Sequence, residues 1–376
     1  MALERILFLS DMLYADGATL RTFDLARALN ARGIEAITVI SGGRLAEKFR
    51  KAGLPVRYQY RINRKLLPYA FNAKIVQLAR SIEPSIVHAR CPRLSALAAR
   101  LARACRTRYV VTVNSIAESR CSIKRSRRCA GVIACSQFIR EWLVNDRNIP
   151  KEVITVIPSG VDVDPFDATT DIAGAVDREA PDDGSAGNAT TGTVPVIGMI
   201  GGFTSGAGHD CFLKAAAMIA AEIPEAQFII AGEQGETVGR DRYVRARVEK
   251  ANLLKKVTII PAFQDFRQLL ASIDVLLVPS SSEGRSRLIL DAMACRRPVV
   301  ATGVGENYEI IRDGENGLLV QKDDAEAMAA GAVNLLTDSE LRHSILDRAF
   351  ECVRKEYSLA RMTKNVIDFY TRALER

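Results

Sequence analysis

Asp274-Val275-Leu276-Leu277-Val278-Pro279 runs into Ser280-Ser281-Ser282-Glu283-Gly284-Arg285-Ser286-Arg287-Leu288-Ile289-Leu290-Asp291-Ala292-Met293-Ala294, and the chain returns through Pro298-Val299-Val300-Ala301-Thr302. The flanking apolar runs predict two buried strands. Between them Leu288, Leu290, Ala292 and Met293 predict a short helix, apolar on much of its circumference. A strand, a polar loop holding one acid and then a helix place that acid at the carboxyl edge of a parallel sheet. Ligands bind at this edge in open α/β folds, and the helix amino end offers free N–H groups to an anion such as a phosphate. Asp291, in the first turns of the helix, is expected to point into the same crevice as Glu283.

Working outward, the first half alternates short β-branched runs with helical segments. Strands are predicted at 5–10, 34–41, 56–62, 85–90, 108–115, 131–136 and 153–159, with helices such as 18–32 and 93–106 between them. This alternation predicts parallel sheets covered by helices. No Gly-x-Gly-x-x-Gly follows the first strand, so a dinucleotide site is not indicated. Residues 167–193 are rich in Ala, Asp, Gly and Thr with no apolar period and read as a linker. A second α/β unit follows, opening with a strand at 194–200 and the loop Gly201-Gly202-Phe203-Thr204-Ser205-Gly206-Ala207-Gly208.

At 376 residues the chain has room for two cores, and its 48% hydrophobic and 26% charged residues are those of an ordinary globular protein. No apolar run reaches membrane-spanning length, and residues 5–10 are too short for a signal-peptide core, so a cytoplasmic location is expected. The eight cysteines include no Cys-x-x-Cys pair and the three histidines are scattered, so no metal site is expected. The overall charge of +8 conceals an asymmetry. Residues 1–160 hold 28 Lys and Arg against 11 Asp and Glu, a net of +17, and the remainder carries −9. So basic a half suggests an anionic partner. Arg61–Phe71 mixes cations with apolar and aromatic side chains, and Lys124-Arg125-Ser126-Arg127-Arg128 is a bare basic run. Both suit contact with an anionic membrane surface, or serve equally as ordinary exposed segments. A nucleic-acid role would leave the acid loop unused and is set aside.

The stretch from Glu283 to Thr302 resembles the donor-site motif of the family 4 (group 1) retaining glycosyltransferases, in which two glutamates eight positions apart precede Ala-Met-Ala and Pro-Val. Glu283 matches the first acid, and Asp291 stands where the second is normally Glu. Ile157-Pro158-Ser159-Gly160-Val161-Asp162, the run Glu306–Val320 and the terminal segment 357–376 extend the likeness over nearly the whole chain. It implies an α/β fold of GT-B architecture: two Rossmann-like parallel-sheet domains facing each other across a cleft. The expected boundaries are 1–165, a linker at 166–193, and 194–356, with helix 357–376 packing back on the first domain.

The resemblance implies transfer of a sugar from a nucleotide-diphosphate sugar to a glycan or anionic glycolipid, with retention, in cell-envelope or lipopolysaccharide synthesis. It implies no cofactor beyond the donor; with the basic first half, a cytoplasmic enzyme peripheral at the inner face of the membrane is expected, and no nucleic-acid partner. Glu283 and His88, at the end of a predicted strand, are the catalytic candidates; the bland alternative for His88 is a structural role. Gly202, Gly206, Gly208, Glu233, Arg285, Ser286, Arg287, Leu288 and Asp291 are expected on the donor side, and Asp16, Gly17 and Asn114 on the acceptor side. Relatives read Gly-Arg-Phe-x-x-x-Lys-Gly at 201–208, whereas this chain has Gly202 and Ala207 at the two cationic positions. A backbone N–H nest, or Arg285 and Arg287, would then have to meet the diphosphate. A non-catalytic GT-B module that binds a nucleotide sugar, a glycan or a partner transferase is the alternative.

Overall fold

The computed structural model describes residues 3–14, 16–43, 45–58, 69–116, 129–163, 194–203, 205–232, 241–260, 266–281, 284 and 286–375. The chain divides into two compact units, Met1–Asp162 with Tyr357–Arg376, and Val163–Glu356. The expected linker at 166–193 lies outside the described residues.

In the first unit β1 (Arg5–Leu9), α1 (Gly17–Asn30), β2 (Glu35–Ile40), α2 (Ala46–Lys51), β3 (Val56–Tyr58), α3 (Tyr69–Ile82), β4 (Ile86–Ala89), α4 (Ser95–Ala104), β5 (Arg108–Val113), β6 (Cys129–Ala134), α5 (Gln137–Asn145) and β7 (Ile154–Val156) follow in order. The strands form one parallel sheet in the order β3-β2-β1-β4-β5-β6-β7. The second unit runs β8 (Val196–Ile200), α6 (His209–Glu222), β9 (Gln227–Ala231), α7 (Asp241–Lys250), β10 (Val257–Ile260), α8 (Phe266–Ala271), β11 (Val275–Val278), α9 (Ser286–Ala294), β12 (Val299–Thr302), α10 (Asn307–Ile310), β13 (Leu318–Val320), α11 (Ala325–Thr337) and α12 (Ser339–Glu356). Its six parallel strands are ordered β10-β9-β8-β11-β12-β13.

Both sheets are covered by helices, which is why their strands read as continuous apolar runs rather than alternating ones. Ile6 to Leu9 and Val275 to Val278 are all buried. In each sheet the order reverses at one place, between β1 and β4 and between β8 and β11. The loops leaving the carboxyl ends of those strands flank the crevice in which such sheets bind ligands.

The last helix, α13 (Leu359–Glu375), returns to the first unit. Leu359, Met362, Val366, Phe369, Tyr370 and Ala373 join the cluster of Ile6, Phe8, Leu25 and Ile133. Within this packing His88 departs from the site expectation. It is 3% exposed. Its Nδ1 lies 2.5 Å from the Tyr370 hydroxyl and its Nε2 2.7 Å from the Thr112 hydroxyl. Both ring nitrogens are therefore occupied inside the unit, and His88 fastens α13 to β4 and β5 rather than lining an open crevice. Burial, helped by the nearby Arg21 guanidinium, pushes its pKa from 6.5 down to about 3. Burial likewise pushes the Tyr370 phenol up, so the pair is neutral.

An unfolded chain binds a proton at His88 below 6.5 and the folded chain only near 3, so acid favours unfolding in that window. Stability should fall as pH drops from 6.5 toward 3, by on the order of 1.4 kcal/mol per pH unit from this residue. Thermal or urea unfolding followed against pH should show a slope shallower by about one proton in His88→Gln; an unchanged slope contradicts the assignment.

Candidate active site

At the β8–β11 switch point the second unit brings three loops together. The turn before α6 ends at Gly208, whose φ is +86°. A Cβ there would stand 1.8 Å from the Pro279 carbonyl oxygen, so only glycine lets the turn lie against the end of β11. Next to it the Gly206 carbonyl accepts hydrogen bonds from the Ser281 N–H at 3.2 Å and the Ser281 hydroxyl at 3.1 Å. Gly202 is half-buried and Gly206 exposed, while Ala207 sits in the core cluster with Phe203 and Phe212. No cation occurs in 201–208, so that stretch can offer an anion peptide N–H groups and hydroxyls but no positive charge.

The second loop leads into α9. Glu283 and Arg285 lie outside the described residues, as does Glu233. Ser286 opens the helix, and Leu288 is buried, its side chain part of the packing. Arg287 and Asp291, four residues apart on α9, are joined by a 2.7 Å contact from Nε to Oδ2, their side chains 11% and 5% exposed. Asp291, expected in the same crevice as Glu283, is thus buried and faces Arg287.

The third loop supplies a carboxylate to which sequence reasoning gave no role. Glu306 is buried, and its Oε1 accepts the Ser286 N–H at 3.1 Å, capping the amino end of α9. A Cβ on Gly284 would meet the Glu306 Cγ at 2.3 Å and the Asn307 Oδ1 at 2.7 Å. Asn307 in turn donates from Nδ2 to the Thr302 carbonyl at 2.9 Å, tying this loop to the end of β12.

The first unit carries a polar row at its own switch point. Asp16 caps α1, accepting the Thr19 N–H at 2.6 Å, and Gly17 begins the helix. Asp11, just past β1, is 4% exposed and takes the Met12 N–H at 3.0 Å, Arg90 Nη2 at 3.0 Å and Arg93 Nη2 at 3.1 Å. Burial would raise the Asp11 carboxyl, but the two guanidiniums and the peptide N–H hold it below its ordinary value. Arg90 also reaches Asp16 at 3.4 Å. Asn114 donates to the Arg90 carbonyl at 3.2 Å and accepts from the Cys135 thiol at 3.1 Å. Asp16 and Asn114 thus share one hydrogen-bonded row. Its centre, Asp11 with Arg90 and Arg93, escaped sequence reasoning because the partners lie about eighty positions apart. A charged pair at two strand ends, Ser10-Asp11 and Ala89-Arg90, was the available signal.

Two family profiles match the chain: "Glycosyltransferase Family 4" over residues 15–165 and "Glycosyl transferases group 1" over residues 194–338. The chain belongs to the family 4, group 1 glycosyltransferases. The lipopolysaccharide core biosynthesis glycosyltransferase LpsE of Rhizobium meliloti is 27% identical over 349 residues, 93% of this chain and 94% of that protein. The crystal structure of Anabaena Alr3699/HepE in complex with UDP and glucose superposes with a TM-score of 0.81 at 19% identity, covering 98% and 99% of the two chains. That of WaaG, a glycosyltransferase involved in lipopolysaccharide biosynthesis, does so with a TM-score of 0.71 at 14% identity over 97% and 99%. Both show the GT-B fold class for this glycosyltransferase, whose two parallel-sheet domains are those described above.

In this transferase Gly208→Ala should destabilise the second domain by about 3 kcal/mol or more, since the backbone angle and the Pro279 carbonyl both oppose a side chain. Removing one partner of the buried pair, Asp291→Ala, should cost about 3 kcal/mol, and Arg287→Met with Asp291→Leu markedly less. Denaturant unfolding of the variants checks both; a Gly208→Ala protein as stable as wild type contradicts the close approach.

Proposed function

We propose that this glycosyltransferase moves a sugar, with retention, from a nucleotide-diphosphate sugar to a glycan or anionic glycolipid acceptor in lipopolysaccharide or other cell-envelope synthesis. The observation that carries the donor half is the β11–loop–α9 unit, with Glu283 in its loop and the helix amino end at the switch point of the second sheet. Support for the pathway is the likeness to LpsE along 93% of the chain. UDP in the Anabaena structure supports a nucleoside-diphosphate donor.

In this reading Glu283 hydrogen-bonds hydroxyls of the transferred sugar. The N–H groups of the 201–208 turn and of Ser286 and Leu288 face the leaving diphosphate, whose growing charge is the main thing a protein can stabilise in such a reaction. Arg285 and Arg287 add positive charge, and Glu233 lies on the donor side. On the acceptor side Asp16, Gly17 and Asn114 meet the incoming hydroxyl, with Asp11 and Arg90 holding their positions. The reading includes no resident metal or cofactor.

The basic first domain suits an acceptor embedded in an anionic surface, which would make the enzyme peripheral at the inner face of the membrane. Among the described residues no helix is long and apolar enough to cross a membrane. Residues 61–68 and 124–128, expected to contribute to this contact, lie outside the described residues.

A non-catalytic donor-binding module is favoured by one observation. Gly202 and Ala207 leave the phosphate turn without a cation while Arg287 is already paired. Activity separates the two readings. Glu283→Ala should abolish transfer while leaving thermal stability nearly unchanged, and a variant of full activity removes Glu283 from the site. A panel of UDP-, GDP- and ADP-sugars finds the donor by thermal shift, since a ligand at about 100 times its Kd stabilises by roughly 2.7 kcal/mol. Anomeric configuration of the product, read by NMR, tests retention. Binding without release of nucleotide selects the module.

The charge split predicts salt-sensitive co-sedimentation with anionic vesicles, because exposed charges are screened beyond about 10 Å at 0.1 M salt. Equal binding to neutral vesicles, or indifference to salt, contradicts the membrane part alone.

A further inference from the structure

The amino end of α9, where the reading above puts the donor's diphosphate, already holds an anion. Glu306 is 7% exposed and accepts the Ser286 N–H at 3.1 Å. Its approach is built in from both sides. Gly284 leaves room for the Glu306 Cγ, and Asn307, anchored on the Thr302 carbonyl, backs the same loop. Arg287, on the first turn of the same helix, is held by Asp291. The neighbouring 201–208 turn brings no cation. A diphosphate arriving here therefore meets a helix end and a guanidinium that each have a carboxylate partner from the same domain.

We propose that Glu306 is an internal stand-in for the donor's phosphate, occupying the α9 amino end when the site is empty and setting the affinity for diphosphate ligands. A diphosphate must displace the carboxylate from the Ser286 N–H or bind beside it against like-charge repulsion. The penalty falls hardest on the most charged ligand. A free nucleoside diphosphate carries a terminal phosphate that ionises further near neutral pH, whereas in the sugar-linked donor that position is esterified. Glu306 thus disfavours the product more than the donor and speeds its departure from a site that lacks the family's two cations.

This rests on the donor reading, and the test keeps the two apart. Calorimetric titration of the full chain, its Glu306→Gln variant and its Glu306→Ala variant uses UDP, GDP, ADP, the matching monophosphates, UDP-glucose and pyrophosphate. Glutamine keeps an acceptor for the Ser286 N–H but not the charge, and thermal unfolding confirms that each variant is folded. Glu306→Gln should bind the preferred nucleoside diphosphate about tenfold more tightly than wild type, with a smaller gain for the nucleotide sugar and little for the monophosphate. Wild type that binds a nucleoside diphosphate while both variants bind it equally or more weakly overturns the proposal and leaves the donor reading standing. Failure of nucleotides and pyrophosphate to bind any of the three proteins overturns both.

Discussion

Close backbone approach governs the carboxyl edge of the second sheet. Gly208 rests on the Pro279 carbonyl, the Gly206 carbonyl takes both donors of Ser281, and Gly284 fits under Glu306 and Asn307. At Gly208 and Gly284 the approach is closer than any Cβ would permit. Loops packed in this way hold their peptide groups in fixed directions, which is what a preorganised anion site requires. They also leave little space for long side chains. Ala207, where relatives carry lysine, is buried with Phe203 and Phe212, so the tight turn and the missing cation belong to the same packing.

The two switch points handle charge differently. In the first domain Asp11 is shared by Arg90 and Arg93, and Arg90 also reaches Asp16. Two cations and two carboxylates there form a locally neutral row, with Asp11 and Arg90 buried and Asp16 and Arg93 toward solvent, whose value is that every member is paired. Among the described residues, other cations of this basic half, such as Arg32, Arg50 and Lys51, are exposed. Solvated charges of this kind contribute little to folding but create a field that reaches about a Debye length. The paired arginines of the row and the solvated ones at the surface are therefore separate sets within one domain.

Much of the architecture was legible because parallel sheets buried on both faces leave continuous apolar runs. Arg5–Leu9, Ile86–Ala89, Val275–Val278 and Val299–Thr302 all form strands where the sequence predicts them. The apolar spacing of Leu288 to Met293 and the run Pro298–Thr302 also placed α9 and β12 correctly. What escaped was pairing across long sequence separations. Nothing local tells His88 that Tyr370, 282 positions away, will take its Nδ1. A histidine at a strand end looks the same whether its ring faces a crevice or a returning helix. Arg287 and Asp291 were legible as an i, i+4 couple, yet the family pattern drew attention to ligands instead. Glu306 carries no local sign of its role, because capping of α9 from a loop twenty residues on is a tertiary event.

These pairings change what donor recognition asks of the α9 end. A helix amino end and a guanidinium that stood bare would capture a diphosphate by new charge attraction, at the cost of desolvating both sides. Here each already has a carboxylate, so the first step is an exchange of one anion for another. Exchange gains less than capture, because the positive groups are partly desolvated and stabilised beforehand. It also costs less in reorganisation, because Ser286 and Arg287 are held in place by the partners they would give up. Such a site favours turnover over tight holding: weaker retention of the nucleoside diphosphate is what an enzyme limited by product release would require. The same arrangement in a module without turnover would only weaken its single useful property, the binding of a donor. On these grounds the carboxylate cap weighs toward catalysis, even though the absent Arg and Lys of the phosphate turn weigh against it.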